Sequence, residues 1–512
     1  METPARLSPA SADNTTGIFP RAIPFILGGT SLFIGLFFMR PNMGEPDSYR
    51  EALSALQYIE THTYGSYWDH PLTMYMFVVA TRLAHALGLS QIAAVNTLAV
   101  LLGAVSIWPL YHFIRKLVNW QTAAFVAAAL ILSPSFIRFT TYLSHEIAGF
   151  AFTSWSLYLV QRTLEERSRK WALTFGFCFA AAWAARPNGV MFLFVPLLIL
   201  SVYEFGWKGL TPATRLLSFA LLGFFGCSLL IYRPALIMHL TSTSGRFLFT
   251  YYEFARYIRS TTEIALESLT PVLVGLSAAG CIALLIRRRY LIASFAGIWM
   301  LVAYAFYTGM YSMHRYFIVS LPPSLLLCFA GADMFDGSRG RWAGHPAKTA
   351  VLLLLLLASL GPNLPDLIYL RKENDDKLAS ETIGKLVGRN LLFTTADEPM
   401  IRYYNREHPP ETVYLVTEYT PGRLGMQMDA LRLAQKRLQM RLPVFATDEI
   451  IDQFRFVGIQ TEYELIWEYK RMRLYRLTSL RLTEKSPSRF SGQHTRQNPP
   501  CPPLQRGERI VT

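Results

Sequence analysis

Long apolar runs separated by short polar loops fill the chain from Ile23 to Leu360. A run of about 20 apolar residues is long enough to cross the hydrocarbon core of a bilayer as an α-helix. The pattern therefore predicts an all-α polytopic membrane bundle over residues 22–363. About eleven transmembrane helices are expected, at residues 23–39, 92–114, 121–137, 146–163, 171–185, 188–205, 215–232, 270–286, 291–309, 316–331 and 349–363.

A different pattern begins after the bundle, where short apolar runs alternate with polar segments. Short runs rich in β-branched and aromatic residues are typical of buried strands. Three such runs are followed by a predicted hairpin, ELIWEYKRMRLYRL: they are LLFTT (391–395), TVYLVTEY (412–419) and PVFAT (443–447). Residues 364–478 are therefore predicted to form a small α/β domain outside the membrane. Residues 479–512 are rich in Pro, Ser and Arg, which predicts a disordered tail.

The basic residues predict the orientation of the bundle, because short loops rich in Lys and Arg lie on the cytoplasmic side of a membrane. The run from Arg287 to Arg289 marks one such loop. Residues 1–21 are predicted to be cytoplasmic as well, and the α/β domain is predicted to lie on the outer face. An apolar helix at Pro71–Leu87 would invert every later loop if it crossed the membrane. It is therefore predicted to lie in the membrane interface.

The composition supports a membrane protein and argues against several other classes. The chain is 52% hydrophobic and only 16% charged, which is too apolar for an ordinary soluble protein of 512 residues. Its net charge of +14 is spread over the loops and the tail, where membrane orientation and anionic lipid headgroups explain it better than nucleic acid does. The five cysteines form no recognisable disulfide framework. The sequence contains no phosphate-binding glycine loop and no nucleophile elbow.

Two long loops, residues 40–91 and 233–268, are predicted to lie on the outer face. The first contains four polar side chains that could act on a substrate: Glu45, Asp47, Asp69 and His70. A carboxylate at the membrane surface can meet a water-soluble acceptor on one side and a lipid-linked reactant on the other. The second loop is aromatic and basic and contains Arg246 and Arg256. It could cover a lipid phosphate, or it could simply be an amphipathic helix at the interface.

The residues of the first loop also have structural interpretations. Asp47 could be an acid in the first turn of a helix, where the helix dipole favours a negative charge. Asp69 and His70 could form the turn that starts the helix at Pro71. Asp69 and His70 are also candidate ligands for a divalent metal ion, although the sequence offers no clear third ligand. A divalent metal is the one candidate cofactor.

Five motifs follow one another along residues 20–330. They are GEPDSYREALSAL with Asp47, WDHPL with His70, SHEIAGFAF with Glu146, AARPNG with Arg186, and HRYFIVSLPP with Arg315 and Tyr316. Their order and sidedness resemble those of the C-type glycosyltransferases, in particular the protein O-mannosyltransferases and the lipid A aminoarabinose transferases. The chain departs from that pattern in having Leu72 for a second proline and Glu146 for a more frequent aspartate.

The resemblance implies a transferase that moves a sugar from a polyprenyl-phosphate donor to an acceptor on the outer face, with inversion at the anomeric carbon. The acceptor would be a protein, a lipid or a glycan. Asp47 and Glu146 would be the catalytic acids, with Asp47 as general base. Arginine suits a departing phosphate, and the candidates are Arg315, Arg186, Arg256 and Arg246. Four further residues would bind substrate: Glu45, Asp69, His70 and Tyr316.

Two other classes of protein fit the same composition. A transporter or flippase of lipid-linked sugars would also be apolar, with basic loops and buried charges, but the chain has no evident internal repeat. A non-catalytic cell-envelope assembly protein could use the outer α/β domain to bind a partner. The predicted location is the plasma membrane, or the endoplasmic reticulum membrane if the protein is eukaryotic.

Overall fold

The computed structural model of the protein divides into two compact units, Met1–Glu373 and Asn374–Thr512. The residues that the structure describes are 18–44, 46–62, 70–186, 197, 200, 210–232, 254–308, 314–331, 344–360, 375–394, 398–414, 421–456, 459–469 and 472–481.

In the described part of the first unit, all regular structure is helical. Its elements are α1 (Ile18–Phe37), α2 (Pro46–Thr61), α3 (Pro71–Leu87), α4 (Gln91–Leu117), α5 (Trp120–Leu132), α6 (Pro134–Thr140), α7 (His145–Glu166), α8 (Arg169–Ala185), α9 (Leu210–Tyr232), α10 (Phe254–Leu269), α11 (Pro271–Ile286), α12 (Tyr290–Thr308), a 3₁₀ helix (His314–Ser320), α13 (Leu321–Gly331) and α14 (Gly344–Leu360).

Local sequence signals set the ends of the helices in and after residues 40–91, the loop predicted to lie on the outer face. Pro71 occupies the first turn of α3, where a missing backbone N–H costs nothing, and Gly88 ends the helix with a left-handed φ of 66°. His70 precedes α3 in an extended conformation. Ser90 then caps α4 by accepting a hydrogen bond from the backbone N–H of Ala93. The helix predicted at Pro71–Leu87 is confirmed with the same bounds.

Only some of the predicted spans meet a length criterion. Among the described residues, α4 is long and apolar enough to cross a membrane by itself. Two bent pairs, α5 with α6 (63°) and α10 with α11 (90°), would raise the number to 3 if each pair is one span. Pro134 starts the second member of the α5–α6 pair, and a proline cannot continue the hydrogen bonding of the preceding helix. Most of the predicted span 188–205 lies outside the described residues. The number of about eleven spans therefore stays a prediction.

The outward-facing side chains of several helices are large and apolar. Phe25 and Phe33 on α1, Leu230 on α9 and Ile286 on α11 are each at least 70% exposed. Exposing so much apolar surface to water is unfavourable, whereas lipid chains would cover it. The first unit therefore has the surface of a membrane-embedded bundle.

Helices α8 and α9 approach so closely that their facing glycines leave no room for a side chain. A Cβ atom at Gly176 would lie 1.9 Å from the carbonyl oxygen of Ala220, and one at Gly223 would lie 2.3 Å from that of Leu173. Both neighbours are backbone atoms, so they cannot rotate away. The two glycines fix the spacing of α8, the helix that ends at Arg186.

Replacing Gly176 with alanine is expected to destabilise the protein by roughly 1–3 kcal/mol, because α8 and α9 must separate to admit the methyl group. Thermal inactivation of the detergent-purified protein measures the effect. Gly275→Ala on α11 is the matched control, since a Cβ there meets nothing within 4 Å. A Gly176→Ala protein as heat-resistant as the control would contradict the close packing.

The second unit contains a five-stranded sheet of order β2-β1-β3-β5-β4. Its elements are α15 (Asp375–Val387), β1 (Leu391–Thr394), α16 (Glu398–Tyr404), β2 (Glu411–Tyr414), α17 (Pro421–Gln439), β3 (Val444–Thr447), α18 (Asp448–Phe456), β4 (Gln460–Tyr469) and β5 (Met472–Arg481). Strand β1 is parallel to β2 and β3, while β5 is antiparallel to β3 and β4.

The core of this unit lies on both faces of the sheet. One face packs Phe393 and Val444 against Phe454, and the other packs Leu392 and Phe445 against α15 and α16 residues. Strands lie at all three predicted places, the second being described only over Glu411–Tyr414, and the predicted hairpin is present as β4 and β5. The hairpin extends to Arg481, which pairs with Gln460. The first three residues of the predicted tail, 479–481, therefore belong to β5, because cross-strand pairing continues past the predicted boundary.

Candidate functional site

The predicted first outer loop, residues 40–91, contains α2 and α3, and Asp47 lies in the first turn of α2. Its side chain is 25% exposed and forms an ion pair with Arg50, with 2.5 Å between Oδ1 and Nη2. Asp47 therefore occupies the helix-terminal position that the structural interpretation expected. It also keeps a carboxylate in contact with the outside of the bundle. Both interpretations of Asp47 fit this geometry.

A second carboxylate on α2, Glu51, points toward two histidines. The Oε1 atom of Glu51 lies 3.5 Å from Nδ1 of His145, the first residue of α7. The ring of His145 packs against the ring of His70, with 4.3 Å between their centroids. One potential ligand atom from each of the three side chains lies within 4.8 Å of the others. We call Glu51, His70 and His145 the histidine–glutamate cluster.

Glu146 connects this cluster to Arg186, the residue that follows α8. Its Oε1 atom lies 2.9 Å from Nε2 of His145 and 3.2 Å from Nη1 of Arg186. The Glu146 side chain is 0% exposed and that of Arg186 is 4% exposed. A buried carboxylate requires compensation by positive charge and hydrogen bonds. The arginine and the histidine together supply it.

The backbone places these groups next to each other at the ends of two helices. Glu146 lies in the first turn of α7, where the helix dipole favours a negative charge. Arg186 follows α8 in an extended conformation, so its side chain leaves the helix end. Gly149 faces the stem of Arg186, and a Cβ on Gly149 would lie 2.9 Å from the arginine Cβ. A small residue at this point lets Arg186 reach Glu146.

The environment of His70 favours its neutral form. Burial lowers the pKa of His70 well below its ordinary value of 6.5, and the nearby positive charges of His145 and Arg186 lower it further. The carboxylate of Glu146 raises the pKa, but not enough to reverse the shift. A neutral imidazole keeps a lone pair available to accept a hydrogen bond or bind a cation.

The structure thus brings together three of the residues singled out in the sequence, His70, Glu146 and Arg186, and puts Asp47 one helical turn from Glu51. Arg315 and Tyr316 lie in the 3₁₀ helix His314–Ser320, which contacts α7, and Arg256 lies in α10. The side chains of these last three residues lie outside the described part of the chain, as do Glu45, Asp69 and Arg246 altogether.

Two members of the cluster, Glu51 and His145, were not predicted. Glu51 lies on the buried face of α2 with Ser48 and Ala55, at the three- and four-residue spacing that defines one side of a helix. An acid on the buried face of an amphipathic helix is a signal that the sequence does contain. His145 directly precedes Glu146, and its role depends on contacts that spacing does not reveal.

Part of the chain matches a family model. Residues 69–232 match the model described as dolichyl-phosphate-mannose-protein mannosyltransferase. That range includes His70, His145, Glu146 and Arg186. None of the curated proteins matches the chain by sequence.

Solved structures share the fold over most of the chain. ArnT from Cupriavidus metallidurans bound to undecaprenyl phosphate is 13% identical with a TM-score of 0.57, over 90% of this chain and 97% of ArnT. The oligosaccharyltransferase of Archaeoglobus fulgidus in its apo form is 12% identical with a TM-score of 0.52, over 85% of this chain and 70% of that enzyme. The same enzyme tethered to an acceptor peptide by a disulfide bond gives a TM-score of 0.52 at 12% identity, over 85% of this chain and 69% of that one.

These matches agree with the motifs found in the sequence. The family model covers the segment that contains the buried cluster, and the similar folds extend over both units. The predicted resemblance is confirmed: residues 69–232 match the mannosyltransferase family model, and the chain shares the fold of the ArnT and oligosaccharyltransferase structures.

Proposed function

We propose that the protein transfers a sugar from a polyprenyl-phosphate donor to an acceptor on the outer face of the membrane. The observation that carries this proposal is the buried group of Glu146, His145 and Arg186 at the helix ends, beside the loop that presents Asp47. Charged groups buried within a membrane bundle are costly and mark sites of function. The ArnT structure with the same fold is bound to undecaprenyl phosphate, which supports a lipid-linked donor.

The difference in burial gives the two predicted catalytic acids different tasks. Asp47 is partly exposed, so an acceptor hydroxyl or amine arriving from water can reach its carboxylate. Glu146 is fully enclosed by its partners. We assign the general base to Asp47, whereas Glu146 holds His145 and Arg186 in place and acts through them.

The reaction is a single displacement at the anomeric carbon. Asp47 takes the proton from the acceptor as the acceptor oxygen or nitrogen forms a bond to that carbon. The bond from the carbon to the phosphate oxygen breaks, and the polyprenyl phosphate leaves with the electron pair. One displacement inverts the configuration. Arginine side chains stabilise the phosphate as its charge grows, and the candidates are Arg315, Arg186, Arg246 and Arg256.

Membranes that contain the protein test this proposal when they are supplied with a panel of radiolabelled polyprenyl-phosphate sugars. Label should move from one lipid-linked donor into a product that remains after the lipid is extracted. Membranes from cells without the protein supply the background. If no donor in the panel gives a product above that background, the proposed transferase activity is contradicted.

A further inference from the structure

The histidine–glutamate cluster is assembled from three separate segments of the first unit. Glu51 comes from α2, His70 from the residue before α3, and His145 from the first residue of α7. Their ligand atoms all lie within 4.8 Å of one another. Because α3 to α6 separate the two histidines along the chain, only the fold brings these groups together.

The spacing of the cluster fits a small divalent ion. Zinc binds histidine nitrogen at about 2.0–2.1 Å and usually has tetrahedral geometry, which places neighbouring ligand atoms about 3.4 Å apart. The 3.5 Å between Nδ1 of His145 and Oε1 of Glu51 already meets that requirement. The ligand atom of His70 lies within 4.8 Å of those of Glu51 and His145, so small side-chain rotations would bring it to the same distance.

The chemical types of the three ligands also indicate which metal ion would bind. Imidazole nitrogen suits zinc and its neighbours among the transition metals, whereas magnesium and calcium prefer oxygen ligands alone. Two histidines and one carboxylate are a ligand set found in zinc sites that leave one coordination position open. A tetrahedral ion on these three ligands would have one further coordination position for water or a substrate oxygen.

The surroundings of His145 prepare it to bind a cation through Nδ1. Its Nε2 atom lies 2.9 Å from the carboxylate of Glu146, so the Nε2 proton stays hydrogen-bonded to that carboxylate when a metal ion replaces the proton on Nδ1. Nδ1 is the atom that faces Glu51. A carboxylate behind a metal-binding histidine is the usual outer partner of such ligands, because it fixes the ring and raises its basicity. Arg186 fixes Glu146 in turn.

We propose that Glu51, His70 and His145 bind one divalent transition-metal ion, for which zinc fits the ligand set best. The ion ties α2 and the start of α3 to the start of α7, and so holds the loop of Asp47 beside the buried Glu146 and Arg186. The alternative is a network of hydrogen bonds and ion pairs that needs no metal. The inference does not depend on the sugar or acceptor, or on the transfer reaction itself.

Direct metal binding tests the proposal without any assay of activity. The full chain is purified in detergent, stripped with a chelator, dialysed and titrated with zinc by calorimetry. We expect one zinc ion per chain. Glu51→Gln, His70→Ala and His145→Ala should each weaken zinc binding at least about 100-fold, since each removes one of three ligands. His85→Ala, an exposed histidine on α3, is the matched control and should bind zinc as the wild type does.

Two measurements on the wild-type protein keep the test decisive if a variant fails to fold. Zinc added to the stripped protein should raise its midpoint of thermal unfolding, because a ligand that binds only the folded state stabilises it. Cobalt in place of zinc should give the visible spectrum of a low-symmetry site with nitrogen ligands. A stripped wild type that takes up neither ion stoichiometrically would overturn the proposal. So would cluster variants that bind zinc as tightly as His85→Ala.

Discussion

Replacing Asp47 with asparagine is expected to abolish sugar transfer and leave the protein folded. The amide has nearly the same shape as the carboxylate, but it cannot take a proton from the acceptor. Loss of a general base typically lowers the rate by about 10²- to 10⁴-fold. Because the Asp47 side chain is partly exposed and its ion pair with Arg50 is at the surface, the effect on stability should be small. The helix-dipole interaction is worth only about 0.3–1 kcal/mol.

The matched control for this variant is Glu60→Gln. Glu60 is an exposed acid on the same helix, and its replacement makes the same change of carboxylate to amide. Transfer rates at equal expression and midpoints of thermal unfolding should be measured for both variants. The proposed role of Asp47 is wrong if Asp47→Asn retains transfer at the level of Glu60→Gln. A large loss of stability without a separate loss of rate would favour the structural interpretation of Asp47.

The second large effect is expected at Glu146. Glu146→Gln removes the negative charge that compensates Arg186, and both side chains are almost completely enclosed. Removing one partner of a buried ion pair typically destabilises a protein by about 3–5 kcal/mol, because the other charge stays buried without compensation. The unfolding midpoint in detergent should fall accordingly, and transfer should be lost as well.

A control variant on the same helix separates the effect of burial from the effect of losing a negative charge. Glu165 lies at the far end of α7 and pairs with Lys116 at 3.1 Å, but both side chains are partly exposed. Glu165→Gln should therefore change stability by no more than about 1 kcal/mol. The losses of stability caused by Glu146→Gln and Arg186→Gln should also be less than additive in the double variant, since the two residues contact each other. The buried ion pair would be contradicted if Glu146→Gln and Glu165→Gln changed stability equally. It would also be contradicted if the losses from Glu146→Gln and Arg186→Gln added in full.

The sequence predicts those features that depend on local chemistry. The bounds of α3 follow from Pro71 at its start and Gly88 after its end. The strands β1 and β3 are short, buried apolar runs, and the sequence pattern is sufficient to find them. Glu146 and Arg186 could be identified because they stand in motifs that resemble those of the C-type glycosyltransferases.

The features that the sequence does not predict depend on contacts between distant segments. The 63° bend between α5 and α6 follows from how the helices pack as well as from Pro134. Glu51 and His145 meet only because the fold brings α2 next to the first residue of α7, and no periodicity in the chain encodes that 3.5 Å contact. The same holds for the ion pair that couples Glu146 to Arg186. From its motif, Arg186 is predicted to bind the donor phosphate, and the motif does not indicate that it pairs with Glu146.

The most direct test of the account compares the products formed by the purified protein in liposomes that contain the labelled lipid-linked donor. The amounts of sugar transferred to the acceptor and of polyprenyl phosphate released should be measured in the same reaction. A transferase that works by a single displacement should give the two in equal amounts, with the transferred sugar inverted at its anomeric carbon. If instead the intact donor moves between leaflets and no polyprenyl phosphate is released, the protein is a transporter and the account is contradicted.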